Sequence, residues 1–342
     1  MADVPITGLA ASEPVAHGGD LGAIRRRFPK ATQPWIDLST GINPVAYPVG
    51  GLPPESWSRL PTREAQQALL GAAARRYGVA DPATIVAAPG TQALIQLLPR
   101  LVPKSRVAIV GPTYAEHEVC WRRAGHDVTV VPDTAEAAGA DIVVVVNPDN
   151  PTGRLVAPQA LRAVETALLV VDEAFIDFLP TEASLAGELP ANAVVLRSFG
   201  KTYGLAGVRL GFAIAPPRFA RRLRDELGPW AVSGPTLEIG RIALDDAAWL
   251  QAAATRLAKD QARLDALLIA AGFTMLGGTT LFRLGEHADA RRMIDRLGQQ
   301  GIHVRAFEHQ PAWLRFGLPA NEEEFRRLAT ALQSSPPTNS TV

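Results

Sequence analysis

Residues 142–153 read IVVVVNPDNPTG, and residues 167–175 read ALLVVDEAF. Each opens on a run of branched apolar residues with no polar position inside it. A strand with one wet face alternates apolar and polar residues. A strand covered on both faces does not, so these runs predict strands over 142–146 and 168–171 with helices packed on either side. Similar short runs stand at 85–88, 107–110, 128–131, 194–196 and 211–215. Helical stretches separate them; over 62–77, for example, Ala65, Ala68, Leu69, Ala72 and Ala73 recur at helical spacing. Buried strands alternating with helices define an α/β fold built on a doubly wound, mostly parallel seven-stranded sheet flanked by helices.

Outward from this centre the pattern changes. The first forty-five residues are rich in Gly and Pro and read as an extended N-terminal arm rather than a packed element. From Arg218 a long helical zone runs to about Ala270, interrupted near Gly234–Pro235. Strand-like TTLFRL (279–284), a helix over 288–299, IHVRAF (302–307), WLRFGL (313–318) and a last helix over 321–333 follow. The expected organisation is an arm at 1–45, a large ligand-binding domain at 46–225, a small α+β domain at 226–335 and a polar, disordered tail at 336–342.

Composition excludes several function classes. Lys plus Arg total 34 and Asp plus Glu total 34, so nothing in the charge balance favours nucleic acid or an anionic membrane as partner. Cys120 is the only cysteine, which rules out an intramolecular disulfide and a thiolate metal cluster, and no metal is expected. No run approaches 18 uninterrupted apolar residues, and the first twenty residues lack the basic-then-apolar pattern of a signal peptide. These features predict a soluble, cytoplasmic protein. Lysine is scarce, with Lys30, Lys104, Lys201 and Lys259 the whole complement.

Four segments carry candidate chemistry. Gly90-Thr91-Gln92 follows a strand and opens a helix, where backbone amides can approach an anion, although a plain β–α turn would look the same. Gly111-Pro112-Thr113-Tyr114 places a tyrosine just past a strand end, able to lie on a flat ligand or simply to pack. Asp172 ends an apolar strand, where a carboxylate needs a partner: a helix amide, or a cationic ring nitrogen. The last segment, RSFGKTYGLAGVRLG (197–211), brackets Lys201 with glycines, with Ser198 three residues before it and Arg209 eight after. A lysine in such a turn can form a Schiff base, while Ser198 and Arg209 suit a phosphate.

With these four segments in this order, the chain resembles the fold-type-I pyridoxal 5′-phosphate enzymes along nearly its whole length. Within them it resembles the branch that holds histidinol-phosphate aminotransferases and threonine-phosphate decarboxylases. The resemblance implies pyridoxal 5′-phosphate as cofactor, bound covalently by Lys201, with Asp172 at the ring nitrogen, Asn150 at the phenolic oxygen and Tyr114 stacked on the ring. Gly90, Thr91, Gln92, Ser198 and Arg209 belong to the cofactor site on this reading, and Arg315 in WLRFGL grips a substrate carboxylate. It also implies a homodimer. The chain departs from the pattern at Phe175, where relatives carry tyrosine, and at Leu60-Pro61, where many carry Tyr-Pro.

The arm, with His17-Gly18-Gly19-Asp20-Leu21 and DLSTGINP (37–44), is more similar to the decarboxylases. That similarity implies decarboxylation of L-threonine O-3-phosphate to (R)-1-amino-2-propanol O-2-phosphate, a step of cobalamin biosynthesis. Substrate binding then falls to His17, Gly18, Asn150, Arg305 and Arg315. The alternatives are an aminotransferase for an amino-acid phosphate such as histidinol phosphate, and a non-catalytic regulator. The second is disfavoured because Lys201 is present and no helix-turn-helix segment precedes the arm.

Overall fold

The computed structural model describes residues 18–333. Twelve strands are found among them: β1 (Ile36–Leu38), β2 (Ile85–Ala88), β3 (Arg106–Val110), β4 (Asp127–Val131), β5 (Ile142–Val146), β6 (Leu168–Asp172), β7 (Ala193–Ser198), β8 (Gly211–Ile214), β9 (Thr274–Thr279), β10 (Phe282–Glu286), β11 (Ile302–Phe307) and β12 (Gln310–Gly317). Seven form one sheet in the order β2-β8-β7-β6-β5-β3-β4, with β8 alone running against its neighbours. The other five form a second sheet, ordered β1-β11-β12-β10-β9.

The unbroken apolar runs behave as two-sided strands should. In β5, Val143 and Val145 enter the core on one face of the large sheet, while Ile142 and Val144 enter the core on the other. Leu169 and Val171 of β6 divide from Leu168 and Val170 in the same way. The helix Arg63–Tyr77 covers one face with Leu69, Ala72, Ala73 and Tyr77; Thr62 caps its start and Gly78 ends it in the left-handed conformation.

The second sheet is one-sided. Ile36, Leu38, Ile302, Val304, Leu314 and Phe316 point into a core shared with the helices Ala247–Ala270, Ala290–Gln299 and Glu322–Gln333. The intervening residues Asp37, His303, Arg305 and Arg315 therefore share the opposite, polar face.

Three expectations need correction. The segment read as an unpacked arm contributes a capped helix, Leu21–Arg27, and the edge strand β1, which pairs in parallel with β11. A three-residue strand with Asp37 at its centre carries too little apolar signal to be read alone, yet Ile36 and Leu38 are fully buried. The run 279–284 is not one strand: it spans the end of β9, a turn at Thr280–Leu281 and the start of β10, and in that turn the Leu281 amide bonds back to Thr279 Oγ1 at 3.2 Å. The helical zone after Arg218 is three helices, because Asp246 caps the start of Ala247–Ala270 by accepting from the Trp249 amide at 2.9 Å. His17 and the tail beyond residue 333 lie outside the described residues.

Candidate active site

In an open α/β sheet, ligands bind where the strands end at their carboxyl side. Here β2, β3, β5, β6 and β7 all end at one edge, and the reversed β8 begins there. Register brings three distant segments together: Ala88 pairs with Gly211, and Gly211 pairs with Ser198. A Cβ on Gly211 would stand 2.5 Å from the Thr91 amide nitrogen, so the two turns touch. Gly90 has φ of +87°, and a Cβ there would lie 2.6 Å from Nη2 of Arg209. Gly90, Thr91, Ser198 and Arg209 thus surround one small cup of backbone amides, a hydroxyl and a guanidinium.

Lys201 lies beyond β7 in the short helix Phe199–Thr202. Its Nζ stands 4.5 Å from the centre of the Phe175 ring. Burial pulls its pKa below the ordinary lysine value; Asp172 opposes that, while Arg315 and Arg209 add to it. Asp172, at the end of β6, is 3% exposed. Its Oδ2 lies 3.0 Å from His117 Nε2, and its Oδ1 accepts from the Ala174 amide at 3.1 Å. Burial raises this carboxyl, but the His117 bond, the nearby charges of His117 and Lys201, and the Ala174 amide outweigh it and leave the pKa lowered. It stays an anion.

Tyr114 donates to Gln92 Oε1 at 3.2 Å, and Gln92 Nε2 donates to Glu116 at 2.6 Å. Both ends of the Gln92 amide are therefore engaged, and Gln92 acts as a brace for Tyr114. Arg315, on β12, reaches across from the second sheet: it donates to Asn150 Oδ1 and, at 2.7 Å, to the Ser39 carbonyl. Burial first, and then Arg305, push its pKa down to about 10. Arg305 is its direct partner across the β11–β12 pair. Gly18 lies against Ser39, whose Oγ accepts from the Gly19 amide at 2.8 Å.

The structure thus gathers Gly90, Thr91, Ser198, Arg209, Lys201, Asp172, Tyr114 and Asn150 at one sheet edge, with Arg315 and Arg305 facing them from the second sheet. Sequence reading missed His117, which anchors Asp172, and Phe282, whose ring meets Phe175 edge-on at 5.0 Å and lies 5.0 Å from the Arg315 guanidinium. No spacing marks either. A histidine three residues past the strand-end tyrosine, on a helix that mixes charged residues with Val119, Cys120 and Trp121, gives only a faint signal.

Residues 53–332 match the family model for aminotransferases of class I and II, and the chain belongs to that family. Within it, the chain is 43% identical to a threonine-phosphate decarboxylase from Sinorhizobium sp., covering 94% of this chain and 98% of that one. A threonine-phosphate decarboxylase from Pseudomonas aeruginosa is 39% identical, covering 92% and 96%. The fold is similar to that of the histidinol-phosphate aminotransferase from Sinorhizobium meliloti in complex with pyridoxal 5′-phosphate, with a TM-score of 0.79 at 24% identity and 97% coverage of each chain.

Pyridoxal 5′-phosphate is the cofactor of this family, and the residues at the edge fit it. At Gly90 the Arg209 guanidinium comes so close to the backbone that a Cβ would stand 2.6 Å from its Nη2, which sets a cation beside the amides of a helix start, a donor set suited to a phosphate. The buried Asp172 carboxylate, propped by His117, suits a protonated ring nitrogen. Lys201 is the one lysine at this edge.

Proposed function

We propose that this protein decarboxylates L-threonine O-3-phosphate to (R)-1-amino-2-propanol O-2-phosphate and CO2, the step its decarboxylase relatives are named for, within cobalamin biosynthesis. The observation that carries the reading is the pair Arg305 and Arg315, opposed in register, with Arg315 near enough to Lys201 to help lower its pKa. Like charges directly opposite each other across a sheet are unfavourable. The pair makes physical sense when anions sit against it, and threonine phosphate brings two.

When bound, pyridoxal phosphate supplies the electron sink for the pair released at Cα as the carboxyl group leaves. The protein's part is to hold and to move protons. Ser198, Arg209 and the amides of Gly90 and Thr91 would grip the cofactor phosphate. Asp172, fixed by His117, would keep the ring nitrogen protonated. Lys201 would hold the cofactor covalently in the resting enzyme, and its lowered pKa favours the free amine such a bond requires. Once displaced by substrate, the same amine, carrying a proton taken from the substrate's ammonium group, would return that proton to Cα. Asn150 and Arg315 would orient the substrate from one side, and Arg305 with the Gly18 segment from the other. Phe175 and Phe282 exclude water beneath Lys201.

A homodimer belongs to this proposal. Trp57, Leu60 and Trp230 are 70%, 64% and 58% exposed, around the contact between the helices Pro54–Ser58 and Gly234–Asp245. Large apolar side chains grouped in this way mark a surface that a partner covers. The functional test is product analysis: threonine phosphate should yield CO2 and the amino-alcohol phosphate without any 2-oxo acid. A strict need for 2-oxoglutarate, with no CO2, would assign the site to transamination.

A further inference from the structure

The polar face of the second sheet carries a row of four side chains on three adjacent strands: Asp37 on β1, His303 and Arg305 on β11, and Arg315 on β12. Two of the four are already accounted for, but His303 is not. It stands two residues before Arg305 on the same strand, so the two side chains leave the same face one pleat apart, about 7 Å. Its register partner across the parallel pair is Asp37. That carboxylate is itself fixed, since its Oδ1 accepts from the Ser39 amide at 2.9 Å and from Ser39 Oγ at 2.5 Å. Ser39 in turn takes Arg315 on its carbonyl and the Gly19 amide on its hydroxyl. His303 therefore sits where the arm, β1 and the arginine pair converge.

The charges facing His303 are Asp37 from β1, Asp20 from the turn before the helix Leu21–Arg27, and Arg305 from its own strand. Burial lowers its pKa and Arg305 lowers it further, while Asp37 and Asp20 pull the other way. The imidazole is thus poised between opposing fields. A phosphate dianion settling on Arg305 would cancel the repulsion from that arginine and add negative charge beside the ring.

Building on the decarboxylase reading, we infer that His303 is a specificity residue of the substrate-phosphate subsite, aimed by Asp37 and taking one proton from solvent as the dianion binds beside Arg305. A dianion is then met by two cations, Arg305 and the imidazolium. A substrate lacking the phosphate leaves His303 neutral and gains nothing from it. The residue reads the charge of the remote group, not the amino-acid end.

The test compares kcat and KM for threonine phosphate in the wild-type holoenzyme, His303→Gln and His303→Lys from pH 6 to pH 9. The substrate's own ionisation, near pH 6, is common to all three and cancels in the ratios. At pH 6, His303→Gln should raise KM about tenfold with kcat within about twofold, the loss expected for one charge-assisted contact. The ratio should fall toward one by pH 9, where the wild-type imidazole is neutral. His303→Lys should keep the low KM across the whole range, which a merely structural histidine would not predict. An active wild type with a KM ratio that is flat in pH, or absent, overturns the role of His303 alone. A wild type that releases no CO2 from threonine phosphate overturns the decarboxylase reading and this inference with it.

Discussion

Asp172→Asn isolates the charge at the end of β6 from its shape. Asparagine keeps the size of the side chain and an oxygen to accept from the Ala174 amide, so the end of β6 should stay in place. What is lost is a negative charge that is 3% exposed and lies 3.0 Å from His117 Nε2. A charge pair about 4 Å apart in a partly screened protein site interacts by about 4 kcal/mol. Removing one aimed electrostatic group from a water-excluded site typically costs about 3–4 kcal/mol of transition-state stabilisation. The two figures agree, and they correspond to a loss in kcat of about 10²–10³. Initial rates of CO2 release at saturating threonine phosphate measure this, with the visible absorbance of the bound cofactor confirming that the site is loaded. A loaded Asp172→Asn enzyme with kcat within about threefold of wild type would show that this carboxylate is structural, and the electrostatic argument would fail.

Lys201→Ala should bind no cofactor that borohydride can trap, and should not turn over; an active variant would refute the role of this lysine. Gly90→Ala places a side chain at φ of +87° and 2.6 Å from Arg209, a strain of about 1–3 kcal/mol, so cofactor titration should show affinity weaker by about tenfold or more. Arg305→Ala should lower kcat/KM for threonine phosphate by about 2–4 kcal/mol while leaving the cofactor spectrum unchanged; release of cofactor with an unaltered KM would mean that the two phosphates have been assigned to the wrong groups. Light scattering should give a dimer for the wild type and a smaller mass for Trp57→Glu, and an active wild-type monomer would remove the case for an interface at this surface.

The large sheet was legible because burial on both faces leaves a pattern that needs no partner to interpret. Every residue of Ile142–Val146 is apolar, and each alternate residue has its own core to enter. The second sheet was legible only in part. Its strands show one apolar face, and β1 is too short for alternation to declare itself. The turn at Thr280–Leu281 hides among β-formers because its deciding contact is a side-chain bond from Thr279, not a glycine or proline at the bend. The same division runs through the site. Residues that end a buried strand or follow it by up to four positions, such as Asp172, Asn150, Tyr114 and Lys201, can be placed at its edge from the strand alone. The opposition of Arg305 to Arg315 is a matter of register between strands, and the approach of His117 to Asp172 is a matter of helix rotation. Neither is written in local sequence.

One more feature of the Asp-Glu-Ala-Phe segment explains how the lysine is held. Asp172 and Glu173 are neighbours and both fully buried, but they engage different groups. Asp172 engages His117 and the Ala174 amide. Glu173 accepts from Ser184 Oγ at 2.5 Å, from the Leu185 amide at 2.8 Å and from Arg197 at 3.2 Å. Arg197 also binds Asp177, and Asp177 accepts from Thr202 Oγ1 at 2.6 Å. Thr202 is the residue next to Lys201. From the other direction, the Asn43 amide donates to the Lys201 carbonyl at 2.8 Å, and its side chain donates to the Thr202 carbonyl at 2.9 Å. Arg256 fixes Asn43 in turn. A buried ion network of this kind contributes little net stability over apolar packing, yet losing one partner typically costs about 3–5 kcal/mol. Its value here lies in position: the short helix carrying Lys201 is clamped by a charged lattice on one side and by the arm on the other. A lysine that must both hold a cofactor and return a proton to one carbon needs its backbone fixed while its amine remains free. The carbonyls and the neighbouring threonine take the constraints, and Nζ is left facing Phe175, with no carboxylate bonded to it among the described residues.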